Sequence, residues 1–302
     1  MVVEISAQAV SQLREKTGLG LMQCKKALAE TGGDLEKAVE FLRKQGAAVA
    51  AKRVGKETKE GKIVFGASTG STGSPQASSA TGSSVAVMEI NCETDFVAMS
   101  DDFNTFASKA VTAIAASAPA NVEALGALAI DNTTLGELLT AAIAKIGELI
   151  AIRRFVVEKS GTGEWIETYS HMGGKIGVLL KLAFEGDVSD KAAITSLARD
   201  LAMQVAATSP VAIDPSGVAA DLIEKEREIA RELTMKEGKT GDMLERIVEG
   251  KMNKFYKENC LLQQIFVKDN KTSIDKLLEA SAKTLGVKNL RVAAFHRLQL
   301  GQ

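Results

Sequence analysis

Between Val218 and Tyr256 apolar residues return at helical spacing along two successive stretches. Val218, Leu222, Ile229 and Leu233 mark one stripe, and Leu244, Val248 and Phe255 mark another, with Met252 beside them. Between them lies KEGKTGD, a short turn with two glycines, and the remaining positions carry acids and bases in similar number. This predicts an antiparallel coiled-coil hairpin over 214–257. Such a hairpin buries its own seam, so it can project as an insertion from the domain that carries it. The sequence on either side has another rhythm, short strand runs alternating with single helices, which predicts an α+β body with small antiparallel sheets flanked by helices.

The N-terminal part is helical. Ala9, Val10 and Leu13 give a short apolar face, Thr17 to Gly20 interrupts it, and Leu21, Met22, Cys24, Ala27 and Leu28 form a second stripe. Gly32-Gly33 closes that helix, and Asp34 is a good N-cap for a third carrying Leu35, Ala38, Val39 and Leu42. The prediction is a three-helix module over 1–54 and a polar linker over 55–62. KIVFG and VAVMEINCE follow as paired strands around the Gly/Ser/Thr stretch 66–84, which cannot bury apolar surface and should be a flexible tip. Helices are expected from Ser100, as N-cap, to about Ala116, and from about Thr134 to Gly147 with Leu135, Leu138, Leu139, Ile143 and Ile146 inward. These make a first core subdomain, 63–148. IAIRRFVVEK, EWIETYSH and KIGVLLKLAF read as an antiparallel meander, followed by a helix that stops before Ser209-Pro210. After the hairpin come QIFV as a short strand, a helix, and a last strand NLRVAAFHRLQL. The second subdomain is then 149–213 with 258–302, and the strands flanking the hairpin should share a sheet.

Composition excludes several functions. Net charge is −1, against the basic excess of a general nucleic-acid binder. No apolar run approaches the roughly 18 residues of a membrane span. The first residues lack the apolar core of a secretory signal, so the expected compartment is the cytoplasm. Cys24, Cys92 and Cys260 lie far apart with no CxxC, and with His171 and His296 they give no zinc spacing. Phosphate loop, dinucleotide fingerprint, HExxH and GxSxG are all missing. Neither a metal nor another cofactor is expected. His171-Met172-Gly173-Gly174 is the nearest approach to a glycine-rich loop, but it lies between two strands, where a hairpin turn is the simpler reading. Glu93 and Asp95, two apart at a strand end, share a face, yet nothing nearby completes an acid–base site.

Two features look outward. Asp95 and Phe96 put a charge and a ring side by side where a strand runs out, which suits neither a core nor a solvated loop. Leu21 and Met22 open a helix after a glycine loop, as bundle core or as an apolar knob for a partner. On the residues alone an interaction scaffold ranks first, and a small-molecule enzyme using HMGGKIG second.

Longer stretches carry a resemblance. LREKTGLGLMQCKKALAETGGDLEKAVEFLRKQG resembles the ubiquitin-associated-like (UBA-like) N-terminal module of bacterial elongation factor Ts. NCETDFVA is similar to that family's Thr-Asp-Phe-Val segment, YSHMGGKIGVLL to its histidine loop, and EKEREIARELTMKEGKTGDMLERIVEGKMNKFYKE to its coiled-coil hairpin. Order and spacing agree along nearly the whole chain; the long stretch 66–84 and the early end after the last strand depart from the pattern. The resemblance implies a non-enzymatic guanine nucleotide exchange factor for the GTPase elongation factor Tu. Thr94, Asp95, Phe96 and Val97 would act near the partner's Mg²⁺. His171, Met172, Gly173 and Gly174 would touch another domain of it, and Leu21, Met22 and Lys25 would dock the N-terminal module. GDP, GTP and Mg²⁺ would be held by the partner, with no nucleic acid or membrane bound directly by this chain.

Overall fold

A computed structural model describes residues 5–17, 19–68 and 82–302. Helices α1 (Ala7–Thr17), α2 (Leu21–Glu30) and α3 (Leu35–Arg53) enclose one apolar cluster of Val10, Leu13, Leu19, Cys24, Ala27, Leu28, Ala38 and Leu42. Asp34 caps α3 as expected, accepting from the amides of Glu36 and Lys37 at 3.0 Å each. Helix α3 does not stop where the cluster ends. Its second half runs on into the body, with Val49 and Ala50 packed against the core beneath the first sheet.

That sheet is formed by β1 (Glu60–Ala67), β2 (Ser84–Cys92) and β5 (Ile150–Lys159), antiparallel in the order β1-β2-β5. Strand β1 thus begins inside the stretch expected to be linker. Gly66, Ala67 and Ser84 belong to the two strands, Ser68, Gly82 and Ser83 adjoin them, and residues 69–81 of the expected tip lie outside the described residues, as does Gly18 of the first interhelical loop. After β2 come α4 (Asp95–Met99) and α5 (Asp101–Ser117). A two-residue ribbon of β3 (Ala129–Ile130) and β4 (Thr133–Thr134) then leads into α6 (Leu135–Ile146). The caps at Ser100 and Thr134 are both made, Ser100 accepting from Phe103 N and Thr134 from Glu137 N.

The second sheet holds β6 (Glu164–His171), β7 (Ile176–Glu185) and β8 (Lys288–Gln299), antiparallel in that order. Strands β7 and β8, on either side of the hairpin in sequence, are neighbours as predicted. The predicted meander is corrected: β5 pairs with β2, not with β6, so a division at 148/149 separates β5 from its own sheet. Adjacency in sequence is only a tendency in pairing. Here Ser160, whose amide donates to Ser83 O at 2.9 Å, carries the chain from one sheet toward the other.

The two sheets lie face to face, with helices on the outer faces. Alternation along β2 accounts for this. Ala86, Met88, Ile90 and Cys92 face α5 and α6, while Val85 and Val87 meet Ile166, Leu179 and Leu298 of the second sheet. On β7, Val178, Leu180 and Leu182 face α7 (Lys191–Thr208) and α10 (Ile274–Leu285). A strand buried on both faces reads as a continuous apolar run, which is how VAVMEI looks. The sheets approach closely at Gly177, where a Cβ would lie 2.3 Å from Ile63 Cγ2 and 2.9 Å from Phe65 Cζ. A buried carboxylate also ties them: Glu89 accepts from Arg154 Nε at 2.7 Å and from Gly301 N at 2.8 Å, and Arg154 reaches Gln299 O at 3.0 Å.

Helices α8 (Ala220–Lys236) and α9 (Gly241–Asn259) form the hairpin. Its seam differs from the one predicted. Ala230, Thr234, Leu244, Val248 and Met252 are buried, whereas Ile229 is 42% and Leu233 48% exposed, and Val218 packs before α8 with Ala212 and Cys260. The small Ala230 and Thr234 let the helices close, and Thr234 bonds its own helix at Ala230 O. Arg231–Glu245 at 2.8 Å and Arg227–Glu249 at 3.4 Å cross between the helices in the antiparallel register, on the exposed flank of the seam. The predicted strand QIFV is also corrected. In place of a ladder it makes one isolated bridge, Ile265 to Ser273, and the Gln204 side-chain amide accepts from Val267 N at 2.9 Å and donates to Ile265 O at 3.2 Å.

Candidate functional site

The segment after β2 is helical rather than an open loop. Thr94 is the N-cap of α4, its Oγ1 accepting from Val97 N at 3.4 Å. The helix is one turn long, with Ala98 fully buried and Val97 half-buried against the core. Phe96 is 78% exposed and Met99 63%, and three residues apart they share a face. Asp95 is exposed and enters no side-chain hydrogen bond or ion pair among the described residues. The ring is therefore not a core residue, and the acid is not occupied by the fold.

The polar groups around Thr94 hold α4 in place. Thr94 donates twice to the Glu148 carboxylate, from its amide at 3.0 Å and from its hydroxyl at 2.7 Å. Glu93 accepts from Leu149 N at 2.7 Å and from Arg53, the last residue of α3, at 3.0 and 3.2 Å. Glu93 and Asp95 thus do not form a pair on one strand face, because Glu93 is tied into the scaffold and Asp95 starts a helix. Cys92 donates its thiol to Thr94 O at 3.1 Å. Burial, reinforced by the negative charges of Glu148 and Glu60, pushes this thiol's pKa up to about 12, so it stays protonated and unreactive.

The histidine loop is the β6–β7 hairpin turn. His171 is exposed and stacks on Tyr169, ring centroids 6.0 Å apart, with the Tyr169 hydroxyl 3.3 Å from Nδ1. Met172, Gly173 and Gly174 all have positive φ, at 52°, 66° and 93°. For Met172 that conformation is uncommon, and it leaves the side chain 63% exposed. Gly174 is buried against Lys62 and Ile63 of β1, which braces the turn on the first sheet. At the other end of the chain, Leu21 is 54% and Met22 75% exposed on the first turn of α2, with Lys25 exposed beside them. Cys24, Ala27 and Leu28 fill the bundle from the opposite face. Of the two readings of Leu21 and Met22, bundle core is overturned.

Sequence reasoning missed Arg53, Glu148 and Met99. Glu148 follows the helix-ending Gly147, and nothing in its spacing from Thr94 announces the bond. No group of three metal-ligating side chains occurs among the described residues, and none of their helices is long and apolar enough to cross a membrane. A cleft of about 600 Å³ between α3 and α6 contains the Arg43–Glu137 pair and none of the exposed residues of α4, the β6–β7 turn or the tip of α2. What α4, the β6–β7 turn and the tip of α2 offer is exposed apolar surface on braced supports, the chemistry of docking against another macromolecule.

Comparison with known proteins places the chain among translation elongation factors. Residues 93–302 match the family described as "Elongation factor TS". The elongation factor Ts of Prosthecochloris aestuarii is 42% identical, covering 99% of each chain. That of Chloroherpeton thalassium is 40% identical over the full length of both, and that of Clostridium kluyveri 40% identical over 99% of this chain and 93% of its own. The chain belongs to the elongation factor Ts family.

Proposed function

We propose that this protein is a non-enzymatic guanine nucleotide exchange factor for elongation factor Tu, acting in the cytoplasm. It binds the GDP-bound GTPase and, through Thr94-Asp95-Phe96-Val97, loosens Mg²⁺ and GDP so that GTP can enter. The UBA-like module docks through Leu21, Met22 and Lys25, the turn of His171, Met172, Gly173 and Gly174 touches a second region, and the coiled-coil hairpin is a further arm. Nucleotide and Mg²⁺ stay with the partner.

One observation carries this reading: Phe96 is 78% exposed on an anchored helix, beside an acid that the fold leaves free. Exchange needs no bond-making residue. It needs contacts that favour the nucleotide-free partner, and a thousandfold loosening takes about 4 kcal/mol of differential binding. A ring and an acid on rigid backbone are a reasonable source of much of that. The test is release of a fluorescent GDP analogue from elongation factor Tu, with wild type, Asp95→Ala and Phe96→Ala in parallel. Acceleration by wild type, blunted in both folded variants, is the expected result; no acceleration by wild type overturns the proposal.

A further inference from the structure

Helix α4 is too short to hold its own direction. An isolated turn is unstable in water, and only Ala98 is fully buried, with Val97 half-buried against the core of the first sheet. Val97 packing and the Ser100 hydroxyl, which donates to Val97 O at 2.8 Å, hold its C-terminal end; the N-terminal end, where Asp95 and Phe96 sit, depends on its cap, and the cap is held by a reciprocal arrangement of two acids. Glu148 reaches to the amide and hydroxyl of Thr94, while Glu93, one residue before Thr94, reaches to the amide of Leu149, one residue after Glu148. Each acid thus binds the backbone beside the other. Arg53 closes on Glu93 from the end of α3 at 3.0 Å. All of these bonds involve a carboxylate, and two of them, Thr94 Oγ1 to Glu148 and Leu149 N to Glu93, are short at 2.7 Å.

We infer that Glu148 is the positioning residue for Asp95 and Phe96, and that the Arg53–Glu93 pair extends the same clamp to the N-terminal helices. This rests on the exchange-factor reading for its functional consequence, but not for its structural one. Neither Glu148 nor Glu93 needs to touch the partner. A ring that presses into another protein delivers its binding energy only if its mount does not yield, so a loosened Thr94 leaves docking through the other surfaces intact and weakens the step that expels nucleotide.

The test uses the full chain with Glu148→Ala, Glu148→Gln and Arg53→Ala. Nucleotide release from elongation factor Tu is measured against exchange-factor concentration. With Glu148→Ala the maximal rate should fall about tenfold or more, because a functional group displaced by about 1 Å loses most of its effect. The half-saturating concentration should change much less. Glu148→Gln keeps one acceptor oxygen for Thr94 and should fall between wild type and alanine, and Arg53→Ala should give the milder loss. Amide hydrogen exchange on the free protein is the second measurement. The amides of Ala98 and Ser100, which bond to Thr94 O and Val97 O, should exchange faster in Glu148→Ala while those of β2 do not change. Unaltered exchange at Ala98 and Ser100 overturns the clamp whatever the nucleotide data show. A wild type that accelerates release, with a Glu148→Ala maximum equal to it, overturns the functional inference alone. A wild type without acceleration refutes the exchange-factor reading and leaves hydrogen exchange to decide the clamp.

Discussion

Replacing Phe96 by alanine should separate stability from function. The ring is 78% exposed and takes no part in the bonds that fix α4. The expected change in folding free energy is therefore within about 0.5 kcal/mol, as for other surface substitutions. Docking is different. A phenylalanine that becomes buried removes about 150–250 Å² from water, so about 100–200 Å² remains to be covered here. At about 25 cal/mol per Å² that is worth roughly 2.5–5 kcal/mol. Incomplete burial and the retained Cβ bring the expected loss to about 2–3 kcal/mol, a factor of about 30–150. Urea unfolding measures the first quantity and stimulated GDP release the second. A variant destabilised by more than about 1.5 kcal/mol would mean that the ring packs at home, and undiminished release in a stable variant would mean that it is not the contact.

Other expectations concern the scaffold and the second surface. Burial pushes the Glu167 carboxyl, 1% exposed, from 4.5 up to about 7, against the opposing Thr168 amide and Arg199 charge. The folded state then holds more protons than the unfolded one between those values, so stability should fall as pH rises through that window and level off above it. Glu167→Gln should match wild type near pH 4, below the unfolded-state pKa, and exceed it at pH 8 by up to about 3 kcal/mol in urea unfolding; a gap independent of pH refutes this. Gly177→Ala should cost about 1–3 kcal/mol by forcing Ile63 and Phe65 apart. By contrast Gly250→Ala, mid-helix with nothing within 4 Å, should gain about 0.5–1 kcal/mol; equal effects at the two sites would contradict the packing described. Leu21→Ser with Met22→Ser should raise the half-saturating concentration for exchange about tenfold or more while sparing the maximal rate, whereas a lost maximum would place these residues at the nucleotide step.

Local chemistry made much of the fold legible. Asp34 and Ser100 were legible as caps because a short polar side chain before an apolar repeat can accept from the first free amides of a helix. Non-local choices were not legible. Strand β5 could follow its sequence neighbour β6 or the open edge of β2, and only packing of Ile150 and Ile152 against the outer helices decides. In the hairpin, Ile229 and Leu233 give the stronger stripe, yet Ala230 and Thr234 make the seam because small side chains permit close approach. Asp95 and Phe96 stood out because they fit neither core nor loop. Their support did not, since Glu148 comes to Thr94 from 54 residues away.

Binding to the two states of the partner tests the central claim most directly. Calorimetric titration of elongation factor Tu, once nucleotide-free and once loaded with GDP and Mg²⁺, gives two affinities. Linkage requires their ratio to equal the factor by which this protein weakens GDP. The account predicts markedly tighter binding to the nucleotide-free form, with Phe96→Ala shrinking the ratio by loss on that side. Equal affinities for the two forms would contradict it, because a protein that does not distinguish them cannot shift nucleotide at all.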